Sequence, residues 1–395
     1  MLTYNLFTAS VALLLYADYL VERYSVSMRF EARIISLQHL FLYAALFVMI
    51  FFAGFRFEIG YDYSKYLAGY IFDSELEHWE PFFNFIVRTI RHFNFGLGLQ
   101  ALFLFFSAAT ILVIYRALFA LTPHYRFGLL LYSLIPSLYL NSFSVVRQGI
   151  ALAILFYALQ YITLKSDYKR YLLFAFVAVM FHYASLFASM AYLAGKFFFD
   201  RIYSQAAYVV SIVVSLALSF LHVGRYILLM MPGHFGLYVR YEFGVSTLKL
   251  LAVNGFFLFF MFQKEKFVKG RLERYLLNSF FLGLLIFNIF SNYIYVSRMA
   301  QYFLVAEIIL VPLYLHTITD FEVRKVMTVL FLLYYLFNYD YALYRDKILN
   351  TRHDKHYLVP YRNYVYEKKK PGRVQYIEAW YDFILKNDEK SRGSR

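Results

Sequence analysis

The chain has 395 residues, 61% of them hydrophobic and only 16% charged, against about 25% charged in soluble domains, which excludes an ordinary soluble protein. It contains no cysteine, so disulfides, thiolate metal sites and cysteine nucleophiles are ruled out and redox chemistry is a poor fit. The net charge of +14 lies in connecting loops and the C-terminal end, where it suits anionic lipid head groups better than nucleic acid. The 22% aromatic content, with 40 Tyr and 46 Phe, exceeds the needs of interfacial belts and serves core and lipid packing or stacking on sugar rings.

A spanning helix needs roughly 20 mostly apolar residues. In chain order, candidates lie near 2–20, 34–53, 97–119, 127–141, 145–163, 171–194, 205–222, 247–262, 276–290, 299–315 and 325–341. These predict an all-α, polytopic membrane protein with ten to eleven transmembrane helices, a membrane domain over 1–342 and a basic tail over 343–395. The first run ends at Asp18 with no basic residue before it and no small-residue cleavage site, so it reads as a retained helix, not a signal peptide. The loop 55–95 has four basic residues, Arg56, Lys65, Arg88 and Arg91, against six acidic ones, a net −2, whereas 22–33, 165–170 and 264–274 are basic. The positive-inside rule places the basic loops in the cytoplasm and the acidic loop outside. That parity holds only if 171–194 is a broken hairpin, entering through 171–181, turning at His182-Tyr183-Ala184-Ser185 and returning through 186–194, with irregular backbone tolerated where it lines a cavity. The outer face then collects 55–95, 141–144, 223–246 and 291–298, and with them Arg56, Asp62, Arg147, Arg225, Arg240 and Arg298. In the tail, Val374, Ile377, Trp380, Phe383 and Ile384 recur near helical spacing and predict an amphipathic surface helix.

A guanidinium near hydrocarbon costs a few kcal/mol, so arginines at the rims of apolar runs tend to face a polar cavity or an anion. Gly54 to Tyr66, which alternates aromatic and charged residues around two glycines, is either a binding edge, with Arg56 on phosphate and Asp62 on a sugar hydroxyl, or an interfacial belt with a snorkelling arginine. Arg147 begins a helix just after Ser142 and Ser144. Placed there it opposes the helix dipole, which makes sense where amides and guanidinium together hold phosphate; the alternative is a border arginine. His182 is the only histidine deep in an apolar run, and reads either as a satisfied core residue or as a proton acceptor or donor toward a leaving phosphate oxygen. Arg298, with Tyr302 one turn later, suits anion binding or anchoring. No glycine-rich phosphate loop, zinc-spaced histidine pair or nucleophile elbow occurs, and no carboxylate cluster suggests an octahedral oxygen metal site. Neither metal nor cofactor is expected.

The stretches GFRFEIGYDYSKY (54–66), Trp79-Glu80-Pro81-Phe82-Phe83-Asn84, SFSVVRQGIALAI (142–154), FHYASL (181–186), SRMAQYF (297–303) and Val359-Pro360-Tyr361-Arg362 together resemble the EpsG-type, Wzy-like polymerases of bacterial exopolysaccharide, capsule and O-antigen repeats. The resemblance spans most of the chain, and the region past about residue 371 departs from it. It implies a glycosyltransferase in the bacterial plasma membrane, working at the outer face, that moves a growing glycan from undecaprenyl pyrophosphate onto the non-reducing end of the next lipid-linked repeat. It further implies lipid-linked donor and acceptor as partners, with a chain-length regulator as a possible one. Pyrophosphate contacts are then expected at Arg56, Arg147, Gln148 and Arg298, sugar contacts at Tyr63, Tyr66, Glu80 and Tyr302, and the proton acceptor at Asp62 or His182. A flippase or exporter of lipid-linked oligosaccharide is the main rival; it would favour internal repeats and charges along both halves of a path, which the sequence lacks. A membrane O-acyltransferase, resting on His182, and a glycan ligase are further rivals.

Overall fold

A computed structural model describes residues 1–24, 27–30, 33–36, 39–77, 79–93, 97–230, 239, 247–293, 296, 298–349 and 358–367. Helix α1 is Leu2–Tyr24. A short antiparallel hairpin follows, β1 (Ser27–Phe30) against β2 (Arg33–Ser36), with Ser27 opposite Ser36. Then comes α2 (Leu40–Gly54), and the polar loop beyond it folds into α3 (Tyr63–Ile71), α4 (Asp73–Leu76) and α5 (Pro81–Phe93). The apolar body continues through α6 (Leu99–Leu121), α7 (Tyr125–Leu134), α8 (Val146–Thr163), α9 (Tyr168–Phe181) and α10 (Ser185–Phe198). After these come α11 (Gln205–Phe220), α12 (Val223–Met230), α13 (Thr247–Phe267) and α14 (Arg271–Ile289). A 3₁₀ turn, Arg298–Ala300, leads into α15 (Gln301–Leu304) and α16 (Glu307–Thr317), and α17 (Phe321–Leu349) precedes the short α18 (Tyr364–Glu367). In hydrocarbon only a helix satisfies its own backbone without neighbours, and the all-helical, polytopic architecture follows from that.

Among the described residues, six helical stretches are long and apolar enough to cross a membrane: α1, α6, α8, α14, Arg298–Thr317 and α17. A seventh counts if α11 and α12, bent by 77°, form one span. This is fewer than the ten to eleven apolar runs because several runs are interrupted. The run 34–53 opens in the hairpin and becomes helical only at Leu40. The run 127–141 stops at Leu134, two residues before Pro136, whose ring disfavours helical backbone in the residue before it. The run 171–194 is cut at His182–Ala184. There the Tyr171 hydroxyl donates to the Ser189 carbonyl at 2.7 Å, whereas residues that far apart on one straight helix would be separated by about 27 Å. The chain therefore folds back at His182, as the charge parity of the loops requires.

Successive helices run antiparallel and sort the loops to two ends. At one end Arg126 pairs with Asp18 at 2.7 Å, Arg271 reaches Ser166 at 3.3 Å, Arg274 pairs with Asp200 at 2.8 Å, and His124 meets His316 with ring centroids 4.5 Å apart. At the other end Gln100 donates to the Gly54 carbonyl at 3.0 Å, Asn141 to Gln301 at 3.0 Å, Gln148 to the Arg298 carbonyl at 2.8 Å and Tyr4 to the Leu358 carbonyl at 2.5 Å. Helix α8 is the axis: 83% of its membrane window is buried, against 22% for α17. Polar side chains tie the second half together inside the apolar body. Asn254 and Asn288 exchange two hydrogen bonds at 2.8 and 2.9 Å, and Asn288 adds one to Ser215 at 2.9 Å, the kind of interhelical bond that replaces the absent hydrophobic drive in lipid. Arg240 and the amphipathic pattern from Val374 to Ile384 lie outside the described residues.

Candidate functional site

Helix α8 leads away from the site end and α9 returns to it, so the first turn of one and the last residue of the other meet. That brings Arg147 beside His182. Glu80 arrives from the loop just ahead of α5, where Pro81 suits the first helical position and the helix dipole favours a carboxylate. The turn is held by the Asn84 amide, which donates to the carbonyls of Leu76 at 2.6 Å and Trp79 at 3.0 Å. Glu80 is only 4% exposed, and both its oxygens are used. Oε2 accepts from Arg147 Nη1 at 2.5 Å; Oε1 lies 3.0 Å from His182 Nδ1 and accepts the Tyr183 N–H at 3.2 Å. Burial alone pushes the Glu80 carboxyl up, but the His182 hydrogen bond and the Arg147 charge outweigh it and bring it down to about 2. The Arg147 guanidinium also lies over the Trp79 ring at 5.0 Å and near that of Phe83 at 5.8 Å.

Three of the remaining sequence candidates border this cluster. Tyr66 is buried, and its hydroxyl is acted on by both Arg147 and Asp62; burial is the larger influence and pushes it up. Asp62 precedes α3, where its carboxylate pairs with Lys65 at 3.3 Å. Tyr302 is 2% exposed and interacts electrostatically with Glu80, yet its hydroxyl has no hydrogen-bond partner among the described residues. Arg147 Nε and the Ser185 hydroxyl are likewise buried and unbonded among those residues. Buried polar groups are bonded in more than about nine cases in ten, so these three are exceptions near the Glu80 cluster.

Gln148 and Arg298 stand one step away. The Gln148 amide donates to the Arg298 carbonyl and so ties the two arginine-bearing turns together, while the Arg298 charge acts on Lys249. Tyr63 stacks on Phe103 at 5.1 Å, so one ring face is already used. Arg56 is in a different situation. It is 1% exposed, with its guanidinium bonded to the carbonyls of Ala53 and, at 3.1 Å, Phe143, and 4.1 Å from the Phe103 ring centroid. It ties the end of α2 to the 141–144 turn.

The late segment joins the same framework. The Phe57 N–H donates to the Arg362 carbonyl at 2.9 Å and the Tyr364 N–H to the Phe55 carbonyl at 2.8 Å, Arg362 pairs with Glu58 at 2.6 Å, and Tyr361 stacks on Phe52 at 4.1 Å. A family model described as the EpsG family matches residues 39–363, a span running from just before α2 to the residue that closes this pairing. The chain belongs to the EpsG family. No curated protein and no solved structure matches it. EpsG membership, with the apolar helices, makes this a multi-pass membrane protein of polysaccharide biosynthesis and supports a polysaccharide polymerase, glycosyltransferase-like in the broad sense. The match also takes in every segment that supplies the cluster, Glu80, Arg147, His182 and Tyr302 alike.

Proposed function

We propose that this EpsG protein polymerises undecaprenyl-pyrophosphate-linked oligosaccharide repeats at the outer face of a bacterial plasma membrane, moving the growing glycan onto the incoming lipid-linked repeat. The observation that carries this reading is the Glu80 carboxylate bridging Arg147 and His182. An ionised Glu80 only accepts hydrogen bonds, so His182 meets it with Nδ1–H, and in the neutral imidazole Nε2 then keeps its lone pair. The acceptor hydroxyl oxygen attacks the anomeric carbon of the donor glycan as the bond from that carbon to the pyrophosphate oxygen breaks. Its proton passes to His182 Nε2, and the electron pair leaves on the pyrophosphate. Arg147, fixed by Glu80 and the Trp79 face, stabilises that developing charge. Before transfer the Glu80 and Arg147 charges cancel; afterwards the protonated imidazole adds one positive charge beside the departing anion.

Within this reading Tyr302 and Ser185 offer hydroxyls to the sugars, Asp62 and Tyr66 border the acceptor side, and Gln148 and Arg298 brace the pyrophosphate side. Purified protein in nanodiscs, given lipid-linked repeats, is expected to produce a glycan ladder on gels that persists in chelator and falls about 10²- to 10³-fold in rate in Arg147→Ala. A ladder at the wild-type rate in that variant would remove Arg147 from the chemistry. Lipid-linked sugar crossing sealed vesicles, with no ladder, would turn the assignment to a flippase.

A further inference from the structure

Away from the Glu80 centre, a second group of charged side chains gathers around one cavity. A cavity of about 170 Å³ between α13, α17 and the 135–137 turn is lined by Lys249 and Arg345 together with Glu307, Tyr335 and Asn338. Arg298 and Arg345 are close enough to repel the Lys249 ammonium, which lies 5.5 Å from the Phe287 ring centroid. Glu307 Oε1 accepts from the Tyr335 hydroxyl at 2.7 Å. The cavity shares Leu248, Phe256 and Tyr334 with an open apolar groove of about 520 Å³ between α13 and α17, along which Leu251, Gly255 and Leu330 lie. In the other direction it shares Ser137 and Lys249 with a cavity of about 60 Å³, which in turn shares Ser137 and Gln301 with a smaller one lined by Gln148 and Gly149, the residues that follow Arg147.

We infer that this groove and its basic cavity form a separate site for the acceptor lipid, the polyprenyl chain lying between α13 and α17 and the diphosphate meeting Lys249 and Arg345. The argument is one of charge and geometry. Two cations at the end of a single apolar channel complement one long tail carrying a multiply charged head group, rather than a two-chained phospholipid. The inference rests on the polymerase reading, in which both substrates carry the same lipid diphosphate but at different distances from the reaction. The donor breaks its bond at the diphosphate, so its diphosphate belongs beside Arg147. The acceptor reacts at the far end of its saccharide, so its diphosphate must lie one repeat away. The Lys249 cavity is set apart from Glu80, Arg147 and His182, none of which lines it, and polar Ser137, Gln301 and Gln148 line the smaller cavities on the side toward Arg147.

The test uses full-length protein in phosphatidylethanolamine nanodiscs with a diazirine-bearing undecaprenyl diphosphate. Crosslinks are expected on the peptides of α13 and α17, falling about tenfold in the double variant Lys249→Gln/Arg345→Gln. Gly255→Leu supplies a second variant: a Cβ at Gly255 meets nothing within 4 Å, so leucine fills the groove without disturbing the fold. Both variants are expected to raise KM for the lipid-linked acceptor about tenfold while leaving transfer to the same saccharide without its lipid unchanged. Equal loss with the lipid-free acceptor, crosslinks confined to other helices, or equal competition by phosphatidylglycerol would each overturn the acceptor-lipid site. Labelled grooves in a protein that never forms a ladder would overturn the polymerase reading instead. A ladder with unlabelled grooves would overturn this site alone.

Discussion

Glu80 carries more of the site than any other residue, because one buried carboxylate fixes both the cation and the base. Its folded-state carboxyl sits at about 2, below the roughly 4.3 of an unfolded glutamate, so the folded chain favours the ionised form by roughly 3 kcal/mol. A depressed carboxylate stabilises the fold fully above the unfolded value, and that contribution is lost as pH falls through the folded one. Thermal unfolding in detergent is therefore expected to show stability falling between about pH 4 and pH 2, a dependence that Glu80→Gln flattens. The same variant frees the His182 tautomer and is expected to slow polymerisation about 10²- to 10⁴-fold; wild-type turnover in Glu80→Gln would separate the cluster from catalysis. In the sequence Glu80 is one of six acidic residues in a loop, and nothing in its spacing points to residues 147 and 182. Arg147 and His182 stood out because each interrupts an apolar run. Lys249 heads an apolar run just as Arg147 does, and the same criterion would have found it; Arg345, at the polar end of a long helix, gave no comparable sign. Arg56 met the criterion too, yet its burial among carbonyls depends on the 141–144 turn folding against it, which composition does not reveal.

Between elements, the site depends on where helices stop. Gly60 has φ +105, and a Cβ there would come within 2.5 Å of the Phe143 carbonyl oxygen. The neighbouring Tyr61 N–H donates to Ser144 Oγ at 3.1 Å, so the outer loop and the turn before α8 are seated on one another at this glycine. Gly60→Ala is expected to destabilise by at least about 2 kcal/mol and to lower activity with it, read as melting temperature and ladder length. The fold-back at His182 makes a milder test. Tyr171→Phe removes this buried bond and is expected to lower stability by about 0.5–1.5 kcal/mol; an unchanged melting temperature would show that the hairpin does not need the bond. The loop charges implied that this break exists, since an unbroken helix would put like-charged loops on opposite faces. The bend after α11 was not legible: hydropathy stays high through Leu221, while the turn depends on His222 at φ +53 and on the Asn292 amide donating to the Ser219 carbonyl at 3.1 Å.

Across the whole molecule, the basic loop 264–274 and the Glu80 cluster lie at opposite ends of the bundle. Residues 264–274, with five basic and two acidic side chains, share an end with Arg126 and Asp200, whereas Glu80, Arg147 and His182 occupy the other. If the basic end is cytoplasmic, an impermeant maleimide is expected to label Lys65→Cys in intact cells and Lys269→Cys only after permeabilisation. The native chain has no cysteine, so the background is clean, and the opposite labelling pattern would invert the topology. The all-helical membrane class was legible from composition alone. The number of full crossings was not, because an apolar run records only that its side chains tolerate lipid, not that the backbone stays helical through it.

The pairing of residues 55–57 with 362–364 also sets an order in time. The loop that seats the turn ahead of Arg147 is translated early, but its partner strand leaves the ribosome only after almost every helix has been made. A chain halted after α17 would insert its helices and keep its shape in the bilayer while lacking the clasp that steadies the Arg56 turn. A chain truncated after α17 is thus expected to enter the membrane yet form no glycan ladder.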